Sequence, residues 1–169
     1  LWAQRAISFV ALAIAVGSSL AVLVRVITTD EIVVSRLGGW PAAVAITLVG
    51  DRLAAVMLVI ATSVLAVVLV FAIGQRAVDE RSPYYHPTYL VLSAGVAQAF
   101  LSGDLFNLFV AFELLLMASY VLLTLEGTDA QVRSGTTYVV LNIVESLVLL
   151  TAVGLVFAAT GTLSMAELP

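Results

Sequence analysis

The stretch SGDLFNLFVAFELLLMASYVLLTL, residues 102–125, decides the fold. One charge, Glu113, interrupts a run that is otherwise apolar and nearly uncharged from Leu105 to Leu125. A helix needs about 20 mostly apolar residues to cross a hydrocarbon core of about 30 Å. Lipid offers no partner for open backbone amides and carbonyls, so such a run must be helical. Only Ser102-Gly103-Asp104 separates it from the apolar run before it. Three residues permit a tight antiparallel helical hairpin and little else. Gly103 is expected to supply the permissive backbone, and Asp104 to cap the helix it precedes.

Working outward, charges punctuate the chain at the spacing of membrane spans. The spans expected are residues 6–27, 53–74, 88–102, 104–125 and 136–159. The fold class is therefore all-α, a polytopic transmembrane helix bundle of five spans. Residues 28–52 hold the apolar run Ala42–Val49, too short to span; a short hairpin and an interfacial segment both fit it. Polar loops are expected at 75–87, with Arg76, Asp79, Glu80 and Arg81, and at 126–135. The chain opens at Leu1 and closes at Pro169 soon after an apolar span, so we expect it to be part of a longer polypeptide. The first span is too long for a cleavable signal peptide. No internal repeat or low-complexity tract is visible.

Composition agrees. Hydrophobic residues make up 62% of the 169 residues and charged residues 11%; mean hydropathy is +1.15. A soluble domain is about 45–50% apolar and about 25% charged. Too few charges exist here to cover a water-facing surface, and disordered chains are polar. The net charge of -4 carries no basic stripe for phosphates, so nucleic acid is excluded as a partner. The arginines give an orientation. With loop 75–87 inside, Arg5, Arg76, Arg81 and Arg133 lie inside, against Arg25, Arg36 and Arg52 outside. The location expected is a prokaryotic plasma membrane, crossed several times.

Two charges sit where a span should have none. Glu113 lies about 13 Å from the outer end of its helix and Glu145 about 14 Å from the inner end of the next, at 1.5 Å per residue. Both fall near the midplane. A carboxyl group there costs a few kcal/mol and faces protein or a wet cavity. A group that can be charged or neutral at modest cost is what a proton relay needs. Glu113 and Glu145 are therefore the candidate proton-path residues. A structural group, protonated and held by Ser or Asn, is the bland alternative, more so for Glu145, with Asn142 and Ser146 beside it. The Glu145 carboxyl is expected to face protein, with Asn142, Ser146 or a fourth-span side chain nearest. Asp104 and His86 are further supporting candidates. His86, in Tyr84-Tyr85-His86-Pro87, reads more simply as an interfacial residue among belt tyrosines. The phenylalanines at 106, 109 and 112 read as packing. With one His and no Cys, no metal site, cofactor or enzymatic nucleophile is expected.

The stretch Ser102-Gly103-Asp104-Leu105-Phe106-Asn107-Leu108-Phe109-Val110-Ala111-Phe112-Glu113 resembles the proton-conducting antiporter-like membrane subunits, and among them the D-subunit family of Mrp-type Na+/H+ antiporters. Gly38-Gly39-Trp40-Pro41, Ala118-Ser119-Tyr120-Val121-Leu122-Leu123, Tyr138-Val139-Val140-Leu141-Asn142 and Thr160-Gly161-Thr162-Leu163-Ser164-Met165-Ala166 extend the resemblance over most of residues 38–169. It implies a protein of about fourteen helices with two inverted five-helix repeats, of which the spans here would be the second to sixth. It implies a secondary transporter subunit, not an enzyme, that exchanges Na+ for H+ beside other membrane subunits of a hetero-oligomeric complex. Its relatives also imply a second possibility, the proton-translocating arm of a complex I-like NADH:quinone oxidoreductase or membrane-bound hydrogenase. In such subunits a fifth-helix glutamate pairs with a seventh-helix lysine. Glu113 matches that glutamate; the lysine would lie beyond Pro169. The resemblance assigns nothing to Glu145.

Overall fold

The computed structural model describes residues 1–41, 43–75 and 82–168. Five helices and one hairpin follow in chain order: α1 (Trp2–Thr29), β1 (Val33–Leu37), β2 (Ile46–Gly50), α2 (Arg52–Gln75), α3 (Tyr85–Leu101), α4 (Leu105–Leu123) and α5 (Asp129–Thr160). Among the described residues, α1, α2, α4 and α5 are long and apolar enough to cross a membrane. With 17 residues, α3 is about 26 Å long at 1.5 Å per residue, close to the hydrocarbon thickness. The expected transmembrane bundle is the observed architecture.

Helix faces follow from a solvent that is itself apolar. Lipid gives no reason to bury leucine, so small and polar residues decide which faces meet. In α1 the buried residues are Ser8, Leu12, Ser19 and Val26; in α2 they are Ala55, Leu58, Thr62 and Leu69. The two stripes face each other, and the Ser19 and Thr62 hydroxyls lie 3.1 Å apart. By contrast Ile14, Ile60, Val67 and Leu155 stay exposed, as lipid-facing side chains should. Between α3 and α4 the backbones nearly touch. A Cβ on Gly95 would stand 3.0 Å from the Leu115 nitrogen and 3.2 Å from the Ala111 oxygen.

The central helix is α3, which packs on α1, α2 and α4. That explains its polar content. Tyr85, His86, Tyr89 and Ser93 are buried in protein. Tyr85 and Tyr89 stack at 5.7 Å and join Leu12 and Leu69 in the core. The Tyr89 hydroxyl donates to the Leu65 carbonyl at 2.8 Å. This corrects the interfacial reading: of the three neighbouring tyrosines 84, 85 and 89, only Tyr84 is exposed. Pro87 lies in the first turn of α3 rather than before it, where a missing N–H costs no helical bond.

Other boundaries also differ. Helix α1 begins at Trp2 and α5 at Asp129, so Arg5 and Arg133 ride inside helices. The early start of α5 has a local cause, a capping box between Thr128 and Gln131. At 32 residues, α5 is about 48 Å long. The expected loop charges Arg76, Asp79, Glu80 and Arg81 lie outside the described residues.

Residues 28–52 resolve the open alternative as a hairpin. β1 and β2 pair antiparallel, Val33 opposite Gly50 and Leu37 opposite Ile46. The turn uses Gly38 and Gly39, both at positive φ. The hairpin is tied to the α3–α4 turn by the Gly103 N–H, which donates to the Thr47 carbonyl at 2.8 Å. Asp104 secures both sides. One carboxylate oxygen accepts from the Asn107 N–H at 2.7 Å, capping α4, and the other accepts from the Thr47 N–H at 2.9 Å. The segment after α5 returns to the same place, where Leu105 N–H donates to Leu163 O and Met165 N–H to Gly103 O. Gly103 is needed for space: its φ is not positive, but a Cβ would overlap Val49 Cγ2.

Two stability outcomes follow. Asp104→Ala removes a cap and leaves the buried Thr47 N–H unpaired, which together should cost about 2–4 kcal/mol. Thermal unfolding of the detergent-solubilised protein should show Tm well below that of Asp104→Asn, which retains an acceptor; equal values would contradict the two-sided role. Gly95→Leu should abolish accumulation of folded protein in membranes, while Gly17→Ala, with nothing within 4 Å of the added methyl, should leave it unchanged.

Candidate functional site

Glu113 lies eight residues after the start of α4 and ten before its end, so mid-depth in the span. The α4 surface beside it faces α5, and the Ser146 hydroxyl donates to Glu113 Oε1. That bond crosses the helix pair at the level where a carboxyl group is hardest to hold. Helix α5 is brought close by Gly135, whose missing side chain leaves room for Thr124 and Tyr120. A cleft of about 250 Å³ opens between α4 and α5 and is lined by Glu113, Asn142 and Ser146 among apolar side chains. Glu113, Asn142 and Ser146 are each half-buried.

The site residues expected from sequence separate into groups. Glu113, Ser146 and Asn142 come together. Glu145 does not join them: it is exposed, absent from the cleft wall, and makes no hydrogen bond among the described residues. The reason is angular. Asn142 and Ser146, four apart, occupy the α4-facing stripe, and Glu145 is turned about 100° away from Ser146. Asp104 sits at the far end of α4, buried and occupied as a cap and clamp. His86 lies in the buried start of α3, edge-on to Tyr85 at 5.4 Å, away from the cleft. No group of His, Cys, Asp and Glu suited to a metal exists among the described residues.

Sequence reasoning passed over two polar contacts. The Tyr138 and Ser119 hydroxyls lie 2.8 Å apart, bridging α5 and α4 two turns from the glutamate. The spacing Tyr138, Asn142, Ser146 at successive fours was the available signal. Nearer the hairpin, Gln98 donates to Asn107 Oδ1 at 2.7 Å and Asn107 to Ser102 Oγ at 3.0 Å. These bonds join α3 to α4 and close the amide of Asn107 away from the cleft.

With this geometry in place, comparison with known proteins is informative. Residues 102–169 match the family model described as NADH:quinone oxidoreductase/Mrp antiporter, TM. The chain is 47% identical over 140 residues to the Na(+)/H(+) antiporter D subunit of Alkalihalophilus pseudofirmus, covering 82% of this chain and 28% of that protein. It is 45% identical over 150 residues to the Bacillus subtilis protein of the same name, covering 87% and 30%. The chain thus spans less than a third of these relatives. Among solved structures, it superposes on a chain of the Mrp complex from a Dietzia species with TM-score 0.85 and 29% identity, covering 97% of this chain and 31% of that one. A chain of the membrane-bound sulfane sulfur reductase, an archaeal respiratory membrane complex, gives TM-score 0.86 and 26% identity, with 97% and 34% covered. Fold, mid-membrane glutamate and relatives agree: the chain belongs to the NADH:quinone oxidoreductase/Mrp antiporter transmembrane family, in the branch of the Na+/H+ antiporter D subunits.

Proposed function

We propose that the chain serves in a multi-subunit monovalent cation/proton antiporter, exchanging Na+ for H+, with Glu113 as the group that takes up and releases the proton. The observation that carries this reading is the Ser146–Glu113 hydrogen bond inside a cleft at mid-membrane depth. A half-open, hydrogen-bonded carboxyl can exchange its proton with water; one sealed as a structural group could be replaced by Gln at lower insertion cost. The names of the two bacterial relatives support the antiport chemistry. Other membrane subunits would be the partners. Glu145, at similar depth, is proposed as a second proton group that would act from the exposed side of α5 rather than through the cleft.

A second reading, a membrane arm of a redox-driven proton pump, is favoured by the likeness to the sulfane sulfur reductase chain. The two differ in what drives the proton. An imposed Na+ gradient, with no redox substrate present, should move protons in the first case only.

The test is ion exchange in vesicles holding the complete complex. Glu113→Gln and Glu113→Ala should abolish Na+-driven proton movement, and Glu113→Asp should retain part of it. A Glu113→Gln complex that assembles normally and exchanges at the wild-type rate would remove this residue from the proton path. Ser146→Ala deletes a hydrogen bond to a chargeable group, about 1.5–3 kcal/mol, and should slow exchange about tenfold or more. Glu145→Gln should slow exchange if that residue also carries protons; an unchanged rate would dismiss it.

A further inference from the structure

We propose that the α4–α5 cleft is a one-sided access path: it connects Glu113 to the membrane face that holds residues 124–128 and is shut toward the face that holds the β-hairpin. The inference rests on the reading of Glu113 as a proton carrier and adds the route and its direction.

Three observations carry it. First, polar groups continue from Glu113 in one direction only. Tyr138, Asn142 and Ser146 follow at spacings of four, so each step is about 6 Å along α5. Ser146 holds Glu113, Asn142 lines the cleft, and the Tyr138 hydroxyl meets Ser119 at 2.8 Å one turn further on. Toward the hairpin the cleft wall is Phe109, Leu147 and Leu150. Nothing there can hold a proton or orient water. The next polar side chain of α4 in that direction, Asn107, is buried and turned to Gln98 and Ser102 of the α3 side.

Second, the Asn142 amide makes no hydrogen bond among the described residues, although it stands in a membrane span. Lipid cannot supply one, and an amide unpaired in hydrocarbon costs several kcal/mol. Water in the cleft satisfies it. Third, the space suffices: about 250 Å³ against a water's share of about 30 Å³. Gaps of about 6 Å between polar groups are the span of one bridging water.

The proton moves along this row without redox chemistry. A hydroxyl or water accepts a proton on one lone pair and gives up another from its opposite side, so one O–H bond forms as one breaks. Tyr138, Ser119 and the waters can do this. Asn142 carries no proton; it fixes the water between Tyr138 and Ser146. A row that ends at Glu113 delivers protons to it from one face and cannot leak them to the other.

The test uses the complete complex in sealed vesicles and a small membrane-impermeant methanethiosulfonate reagent, added to either face. This chain has no native cysteine. Ala130→Cys and Ser35→Cys identify the two faces. Asn142→Cys should react from the Ala130 face and not from the Ser35 face, and Val139→Cys, on the same cleft wall, should do likewise. Tyr138→Phe should assemble normally, keep its Na+ dependence and exchange protons at least about tenfold more slowly, the lower range for a lost acid–base group. A Tyr138 hydroxyl acting only as a tie between helices would lower Tm without moving the exchange rate. Reaction of both cleft cysteines from the Ser35 face, from both faces or from neither overturns the path, as does Tyr138→Phe at the wild-type rate. Glu113→Gln separates the two ideas. If it is inactive while the labelling fails, only the route falls; if it exchanges normally, the proton reading itself falls.

Discussion

One carboxylate holds the extramembrane end of this bundle in register. Asp104 gives one oxygen to the first turn of α4 and the other to the Thr47 N–H of β2. Because it is buried, both bonds act in a low dielectric, where a charge-assisted bond is strong and an unpaired group is costly. Around it converge the hairpin, the α3–α4 turn and the segment after α5, through Gly103, Leu105, Leu163 and Met165. Helices in lipid gain little by hiding leucines from one another. Directional bonds at their ends therefore do much of the work that hydrophobic burial does in water, and they set where along α4 the glutamate falls relative to α5.

Much of this was legible in residues whose chemistry contradicts their surroundings. Glu113 stands out because a single charge in an apolar run has a large insertion cost, and Asp104 because a short polar turn before a helix wants an acceptor. The hairpin was not legible: Ala42–Val49 is apolar over a length that fits a strand or an interfacial segment equally. His86 misled because Tyr-Tyr-His-Pro looks like a membrane boundary. Its burial follows from the position of α3 between α1, α2 and α4, which is a tertiary fact. Glu145 drew attention by charge, yet the face toward α4 is set by the smaller Ser146 beside it. One residue, a turn of about 100°, decides which of the two meets Glu113.

The site combines opposing demands. A carboxyl group at the midplane must be partnered to be tolerated, yet a fully enclosed one could not exchange its proton. Ser146 supplies a single neutral hydroxyl, enough to hold the group and too little to satisfy it in every state. The cleft leaves the rest to solvent. Gly135 lets α5 approach α4 at the end away from the hairpin, and the side chains beyond that point are long enough to keep the helices slightly apart.

The helices that share the site differ greatly in length, 19 residues for α4 and 32 for α5. At about 28 and 48 Å, they do not feel bilayer thickness alike. Helix α4 matches a core of about 30 Å while standing upright. Tilt alone would need an angle beyond the usual range of 0–40° to hide all of α5, so part of it stands clear of the hydrocarbon. A thinner or thicker bilayer shifts the tilt of the long helix against the short one, with Ser146 and Glu113 near the pivot. Mid-span placement thus shelters the hydrogen bond from changes in lipid composition that the ends of α5 must absorb.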